Sequence, residues 1–216
     1  MYVKDYMTKN PYTVSLDKSI SEVLDIMSAT KVHRLPVVDK SGKLLGLLTE
    51  SLILSNTPNS STSLSVFELN YLLNKLSVKD IMVKDPYTIG PDALLEDAAT
   101  VMRKNGVACL PVVDDKKNLV GIITHNDIFD AFINLLGYYT DGSRYVINVD
   151  EDRVGVIEEL ASIFKDCNIS ISNIAVYHTE RGIEIVVIVH GTDNICDELD
   201  KKGFKVTHYM HMHNNN

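Results

Sequence analysis

Apolar and polar positions alternate along this chain with two periods, one helical and one extended. After Ser19, the residues Val23, Leu24, Ile26 and Met27 recur at helical intervals, and Ser19 followed three positions later by Glu22 is a capping box. The helix so opened is expected to end near Thr30. Residues 35–38 and 44–48 are short apolar runs separated by Asp39-Lys40-Ser41-Gly42-Lys43, whose turn chemistry makes the pair a hairpin. A second helix follows Thr49. Residues 78–129 then repeat residues 3–54 without a gap, so that Val3-Lys4-Asp5 returns as Val78-Lys79-Asp80 and Leu35-Pro36-Val37-Val38-Asp39 as Leu110-Pro111-Val112-Val113-Asp114. Pro11-Tyr12-Thr13 returns as Pro86-Tyr87-Thr88, and Gly46 and Thr49 as Gly121 and Thr124. Each copy reads β-α-β-β-α and has too few strands to bury both faces of a sheet, so the two copies are expected to pack sheet against sheet.

The pattern changes between and after the copies. Residues 55–63 are rich in Ser, Asn and Thr, and Ser65 with Glu68 caps a further helix whose apolar side carries Leu69, Leu72, Leu73 and Leu76. The second copy closes on a helix with Phe129, Phe132, Leu135 and Leu136, and Gly137-Tyr138-Tyr139-Thr140-Asp141-Gly142 reads as a linker. A new domain starts near Arg144. Strands are expected at 145–149, 169–176, 184–189 and 204–208, with helices at 154–165 and 193–202. That β-α-β-β-α-β order is ferredoxin-like, and the fold class overall is α+β.

Composition narrows the partners. A net charge of -8, from 29 acidic against 21 basic residues, repels nucleic acid and anionic membrane alike. Apolar runs stop at about five residues, far below the ~20 of a membrane-spanning helix. Three cysteines without a CxxC spacing, and no apolar signal segment, place the chain in the reducing cytoplasm. No HExxH, P-loop, GxGxxG or GxSxG motif occurs, and no constellation that we would read as catalytic.

The duplicated unit resembles a tandem CBS (cystathionine β-synthase) pair, a Bateman module. The resemblance rests on the opening Met7-Thr8-Lys9-Asn10-Pro11, the doubled Leu-Pro-Val-Val-Asp, and the closing Gly-x-x-Thr-x-x-Asp of residues 121–127, which is broken at Leu52 in the first copy. It implies an adenine nucleotide as regulatory ligand, with no cofactor and no catalytic residue. Thr124 and Asp127 meet at a helix N-terminus, where Thr-x-x-Asp is either a capping box alone or a carboxylate placed to hold ribose hydroxyls. His33-Arg34 precedes the first copy's strand where the second has Ala108-Cys109, and the resemblance implies a reach to phosphate across the dyad. Otherwise Arg34 is a surface ion pair and His33 a partly buried polar residue. By position in the family, adenine falls to Thr88, Ile89, Val107 and Ala108. The intervening helix and the added domain are similar to those of acetoin-utilisation, AcuB-like members.

The last domain resembles an ACT domain, and an amino acid would fall to Asp152, Arg153, Gly155 and Ser170. Asp152 can equally serve only to cap the helix, and Gly155 only to permit close packing. The family's pattern is departed from at Val154, Asn168 and Ser170, where proline, glycine and asparagine are usual; Asn168 can still adopt the left-handed conformation. Histidines 208, 211 and 213 could chelate Ni, Cu or Zn, but a frayed end is the simpler expectation and no metal site is assigned. The expected organisation is a first repeat at 1–56, a linker with an extra helix at 57–77, a second repeat at 78–136, a linker at 137–143, an ACT-like domain at 144–208 and a disordered tail at 209–216. The function expected is a cytoplasmic, homodimeric, non-enzymatic sensor that passes nucleotide occupancy to the ACT domain or a protein partner. The alternatives are an interaction module with a degenerate site, and an enzyme using a metal on the histidine tail.

Overall fold

The computed structural model describes residues 1–57, 73–150, 153–180 and 182–213. Most of the extra helix expected from Ser65, together with Asp152 and residues 214–216, lies outside them, while Leu73 and Leu76 pack against the first repeat's core. The described chain forms two compact units, Met1–Ile128 and Phe129–Asn216.

In the first unit each repeat contributes a helix and a hairpin. The first helix, Ile20–Thr30, starts as its capping box requires: the Glu22 amide donates to Ser19 Oγ at 3.3 Å, and the Ser19 amide donates to Glu22 Oε2 at 2.9 Å. Its buried residues Ile20, Val23 and Met27 cover the hairpin of β2 (Arg34–Val38) and β3 (Leu44–Thr49), where Leu35, Val37 and Leu48 are fully buried. The second repeat repeats this with helix Leu95–Asn105 and strands β4 (Cys109–Val113) and β5 (Leu119–Thr124). Leu47, Cys109 and Ile122 form a small core shared by the two hairpins, in keeping with the expected sheet-on-sheet packing.

The first strand of each repeat is less than expected. Val14 and Ile89 each make only a single parallel bridge, to Val37 and Val112. The opening segments are instead exchanged. β1 (Thr8–Lys9) pairs with β5 of the second repeat, and Val83 pairs with Leu47 of the first through two 2.9 Å hydrogen bonds. Glycine makes the exchange possible: a Cβ on Gly46 would lie 2.6 Å from Met82 Sδ and 2.7 Å from the Val83 carbonyl oxygen, and one on Gly121 would meet Met7 in the same way. Each repeat therefore delivers the residues after its opening Met to the far end of the other repeat's hairpin.

The second unit is a four-stranded antiparallel sheet in the order β7-β8-β6-β9, made of β6 (Gly142–Val149), β7 (Ile171–Thr179), β8 (Gly182–His190) and β9 (Lys205–Met212). Helices Val156–Asp166 and Cys196–Lys201 complete a β-α-β-β-α-β order. Tyr145, Ile147, Leu160, Phe164, Ile185, Val187 and Leu199 form its core. Asn168 adopts the left-handed conformation (φ 58°) after the first of these helices, where glycine is usual.

Two expectations are corrected here. Residues 137–143 are not a free linker: Asn173 Nδ2 donates to the Leu135 carbonyl at 2.9 Å, Gly137 (φ 66°) lies against Asn173 and Ile188, and Gly142 and Ser143 already belong to β6. Nor is 209–216 disordered throughout. Tyr209, Met210, His211 and Met212 continue β9, in register with Tyr145, Arg144, Ser143 and Gly142. Main-chain pairing, together with the Tyr209 ring lying 5.0 Å from that of Tyr145, holds a stretch whose composition alone suggests fraying.

Candidate functional site

Two strand-to-helix turns, one per repeat, face the same question about ribose. In the second repeat the Thr124 amide and hydroxyl both donate to Asp127 Oδ2, at 2.6 and 2.8 Å, and the Asp127 amide approaches Thr124 Oγ1 at 3.5 Å. This is a capping box at the start of helix His125–Leu135. It also holds the half-buried carboxylate in a fixed rotamer at the helix N-terminus, with two donors that a diol could replace. In the first repeat Thr49 Oγ1 accepts the Leu52 amide at 3.2 Å, and Leu52 packs against the hydrophobic core. That turn has lost its carboxylate to packing.

Each turn is tied to the loop before its own hairpin. The Glu50 amide donates to the His33 carbonyl at 3.0 Å, and the His125 amide donates to the Ala108 carbonyl at 3.2 Å. His33-Arg34 and Ala108-Cys109, each at the junction of loop and strand, occupy equivalent places in the duplicated unit. Cys109 is buried, which pushes its thiol pKa up, with the charge of Arg34 opposing, and the two residues line one cleft.

A cleft of about 510 Å³ opens there, within the range of small-molecule sites. His33, Arg34, Thr49, Glu50 and Ser51 line it from the first repeat, and Tyr87, Val107, Ala108 and Cys109 from the second. His33 is exposed rather than partly buried, and its Nδ1 meets Glu50 Oε2 at 2.6 Å. Arg34 is not the surface ion pair of the simpler reading: it is half-buried, and its guanidinium pairs with no carboxylate among the described residues.

Four expected residues, His33, Arg34, Val107 and Ala108, thus share one cleft, while Thr124, Asp127, Thr88 and Ile89 are not on its wall. The exchange of opening segments explains the division. Because Val83 pairs with β3, the segment carrying Tyr87 is brought to the turn at Thr49, whereas Thr8 and Lys9 pair with β5 of the second repeat. Val107 and Ala108 accordingly share the cleft wall with the Thr49 turn, while the Ala108 carbonyl is also bonded to the His125 amide of the Asp127 turn. Thr88 is exposed, and the main chain of Ile89 is already spent on the sheet, its amide on Pro111 and its carbonyl on Val113. Sequence reasoning missed Thr49, Glu50, Ser51 and Tyr87. A signal existed for Tyr87, an exposed aromatic repeating Tyr12 with no core to serve.

In the second unit a smaller hollow of about 150 Å³ is lined by Arg153, Gly155, Val156, Ile157 and Val176 among others, and Ser170 is not part of it. Arg153 is held by a bidentate pair with Glu159, at 2.6 and 2.5 Å. Gly155 is not there for close packing, since a Cβ would meet nothing within 4 Å; its φ of 95° is what requires glycine. Among the described residues no helix is long and apolar enough to cross a membrane.

The CBS-domain family profile matches residues 3–57 and 78–134. A CBS domain pair solved with 5'-methylthioadenosine and S-adenosyl-L-methionine is 31% identical (TM-score 0.51), over 61% of this chain and 99% of that one. The CBS-pair protein CBSX2 of Arabidopsis thaliana, solved with AMP, is 28% identical (TM-score 0.54), over 62% and 97%. A Vibrio cholerae protein provisionally assigned to acetoin utilization (AcuB) is 31% identical (TM-score 0.52), over 63% and 93%. The inosine-5'-monophosphate dehydrogenase of Nitrosopumilus maritimus is 25% identical over 88% of this chain, which spans only 44% of that enzyme. With two matched repeats covering half of its length in one paired fold, the chain belongs to the CBS-domain family.

Proposed function

We propose that this chain is a non-catalytic regulatory protein that binds an adenosine-containing ligand between its CBS repeats. The observation that carries the reading is Arg34, a half-buried cation without a carboxylate partner among the described residues, on the wall of a cleft built by both repeats. Such a group favours a phosphate or another anion. The ribose has two turns to choose from. A carboxylate accepting two hydroxyls makes charge-assisted hydrogen bonds, so Thr124 and Asp127 take it in preference to Thr49 and Ser51, and Arg34, at the start of β2 and on the cleft wall with Cys109, the strand partner of Thr124, takes the charged end. AMP, methylthioadenosine and S-adenosylmethionine in related pairs support the ligand class. The ligand bridges two repeats, so it favours whichever relative arrangement it binds better, and this is the state read by the second unit, an ACT-like domain, or by a protein partner. A role in acetoin metabolism is consistent with the likeness to the Vibrio protein.

Titration calorimetry with AMP and with uncharged 5'-methylthioadenosine tests this. Arg34→Ala should weaken AMP about tenfold or more while leaving methylthioadenosine within about twofold. Asp127→Ala should weaken both. If Thr49→Ala weakens both and Asp127→Ala neither, the ribose lies in the cleft beside Leu52 instead. Absence of binding by any adenosine compound would replace the sensor with an interaction module whose Asp127 is only a helix cap.

A further inference from the structure

The end of the chain that composition marks as frayed brings two metal-ligand groups, His211 and His213, to a third, Asp141. β9 runs antiparallel to β6, with His211 opposite Ser143 and Met212 opposite Gly142. Continuing that register places His213 opposite Asp141. His211 and His213 are two apart on an extended segment, so both project on one side of it. Their rings lie 4.2 Å apart edge to face, and His213 Nδ1 lies 3.9 Å from Asp141 Oδ1. One ligand atom from each of Asp141, His211 and His213 falls within 4.8 Å of the others. A second observation points the same way. His211 Nδ1 is buried and has no hydrogen-bond partner among the described residues, a condition rare for a buried ring nitrogen unless something else satisfies it.

From this geometry we infer that Asp141, His211 and His213 form a binding site for a divalent transition-metal ion, with zinc as its natural occupant. Two imidazoles and one carboxylate are a donor set for zinc, nickel or copper rather than magnesium or calcium. Donors around a tetrahedral zinc at ~2.1 Å stand ~3.4 Å apart, so the side chains need to close by little more than a rotamer adjustment. Two of the ligands stand on or beside paired strands, which distinguishes the site from a flexible histidine tail. His208, Met210 and Met212 alternate to the other side of β9 and are left out of it. The ion would fasten the end of β9 to the residue that enters β6, and its fourth position would be open to water. The inference is independent of the nucleotide site.

The test uses the full-length chain, freed of metal with a chelator and titrated with zinc by calorimetry. Wild type should take up one zinc per chain, and His213→Ala and Asp141→Asn should each weaken it at least tenfold, while magnesium gives no heat. His208→Ala should bind as wild type does. All these variants should melt with wild type in the absence of zinc, since His213 and Asp141 are exposed. Lack of stoichiometric zinc binding by wild type overturns the proposal. So does equal weakening by His208→Ala, which would mean chelation by an unstructured tail, or an unchanged Asp141→Asn, which would leave only a two-histidine contact.

Discussion

At the scale of single residues, the Tyr145 hydroxyl in the second unit both donates and accepts a hydrogen bond. It donates to the Asp193 carbonyl at 2.5 Å and accepts the Ile195 amide at 3.3 Å, although its ring is fully buried against Phe164. Burial pushes its pKa up to about 12, with the Ile195 amide opposing. The folded-state pKa lies above the ordinary value of 10.0, so the neutral phenol contributes stability that is complete below pH 10 and is lost as pH rises toward 12. Tyr145→Phe should cost about 1–3 kcal/mol at neutral pH by leaving the buried Ile195 amide, and the Asp193 carbonyl, without this partner. In guanidinium melts the gap between variant and wild type should narrow between pH 10 and 12; a constant gap would mean that the hydroxyl does not titrate with unfolding. Which residues bear on ligand was only partly visible in the sequence. The Thr-x-x-Asp spacing of Thr124 and Asp127 is local, so one helix turn brings the two together, whereas Arg34 and Cys109 are neighbours only because the repeats pack.

Among the elements, the capping boxes and the hairpins were legible because each rests on contacts a few residues apart, as at Ser19 and Glu22, whereas the first strand expected in each repeat is only a single bridge. The exchange of opening segments was not. Met7 and Met82 look like entries to their own repeats, and only in the folded pair does each lie on the other repeat's glycine, Gly121 or Gly46. Gly46→Ala places a Cβ 2.7 Å from a main-chain carbonyl that a strand bridge holds in position. We expect it to destabilise the pair by about 1–3 kcal/mol and to weaken AMP as well, because the Tyr87 segment leaves the exchanged bridge. A variant that melts with wild type would show that the bridge yields freely. The tail erred in the opposite direction: His208-Tyr209-Met210-His211 has no apolar face worth a strand, and pairing with β6 supplies what its side chains do not.

For the whole molecule, the helix His125–Leu135 exposes Phe129, Phe132 and Leu135 at 60%, 57% and 55%. Three large apolar side chains at helical spacing are costly to leave in water. A homodimer joined through them is the expected state in solution, and light scattering should give twice the 24.1 kDa chain mass, with Phe132→Glu shifting it toward monomer. A wild-type monomer would overturn the expected dimer. The sequence by itself determined that there are two copies of one unit followed by a separate β-α-β-β-α-β segment, that the Thr-x-x-Asp turn is intact at Asp127 and broken at Leu52, and that the chain carries 29 acidic against 21 basic residues. These follow from spacing and composition, which are properties of the chain taken in order. Only the tertiary structure decided which loop faces which turn, that Arg34 stands in a cleft without a carboxylate partner among the described residues, and that His211 and His213 meet Asp141. Each of these joins residues about 35 or more positions apart through strand register and repeat packing, and no local pattern encodes such a distance.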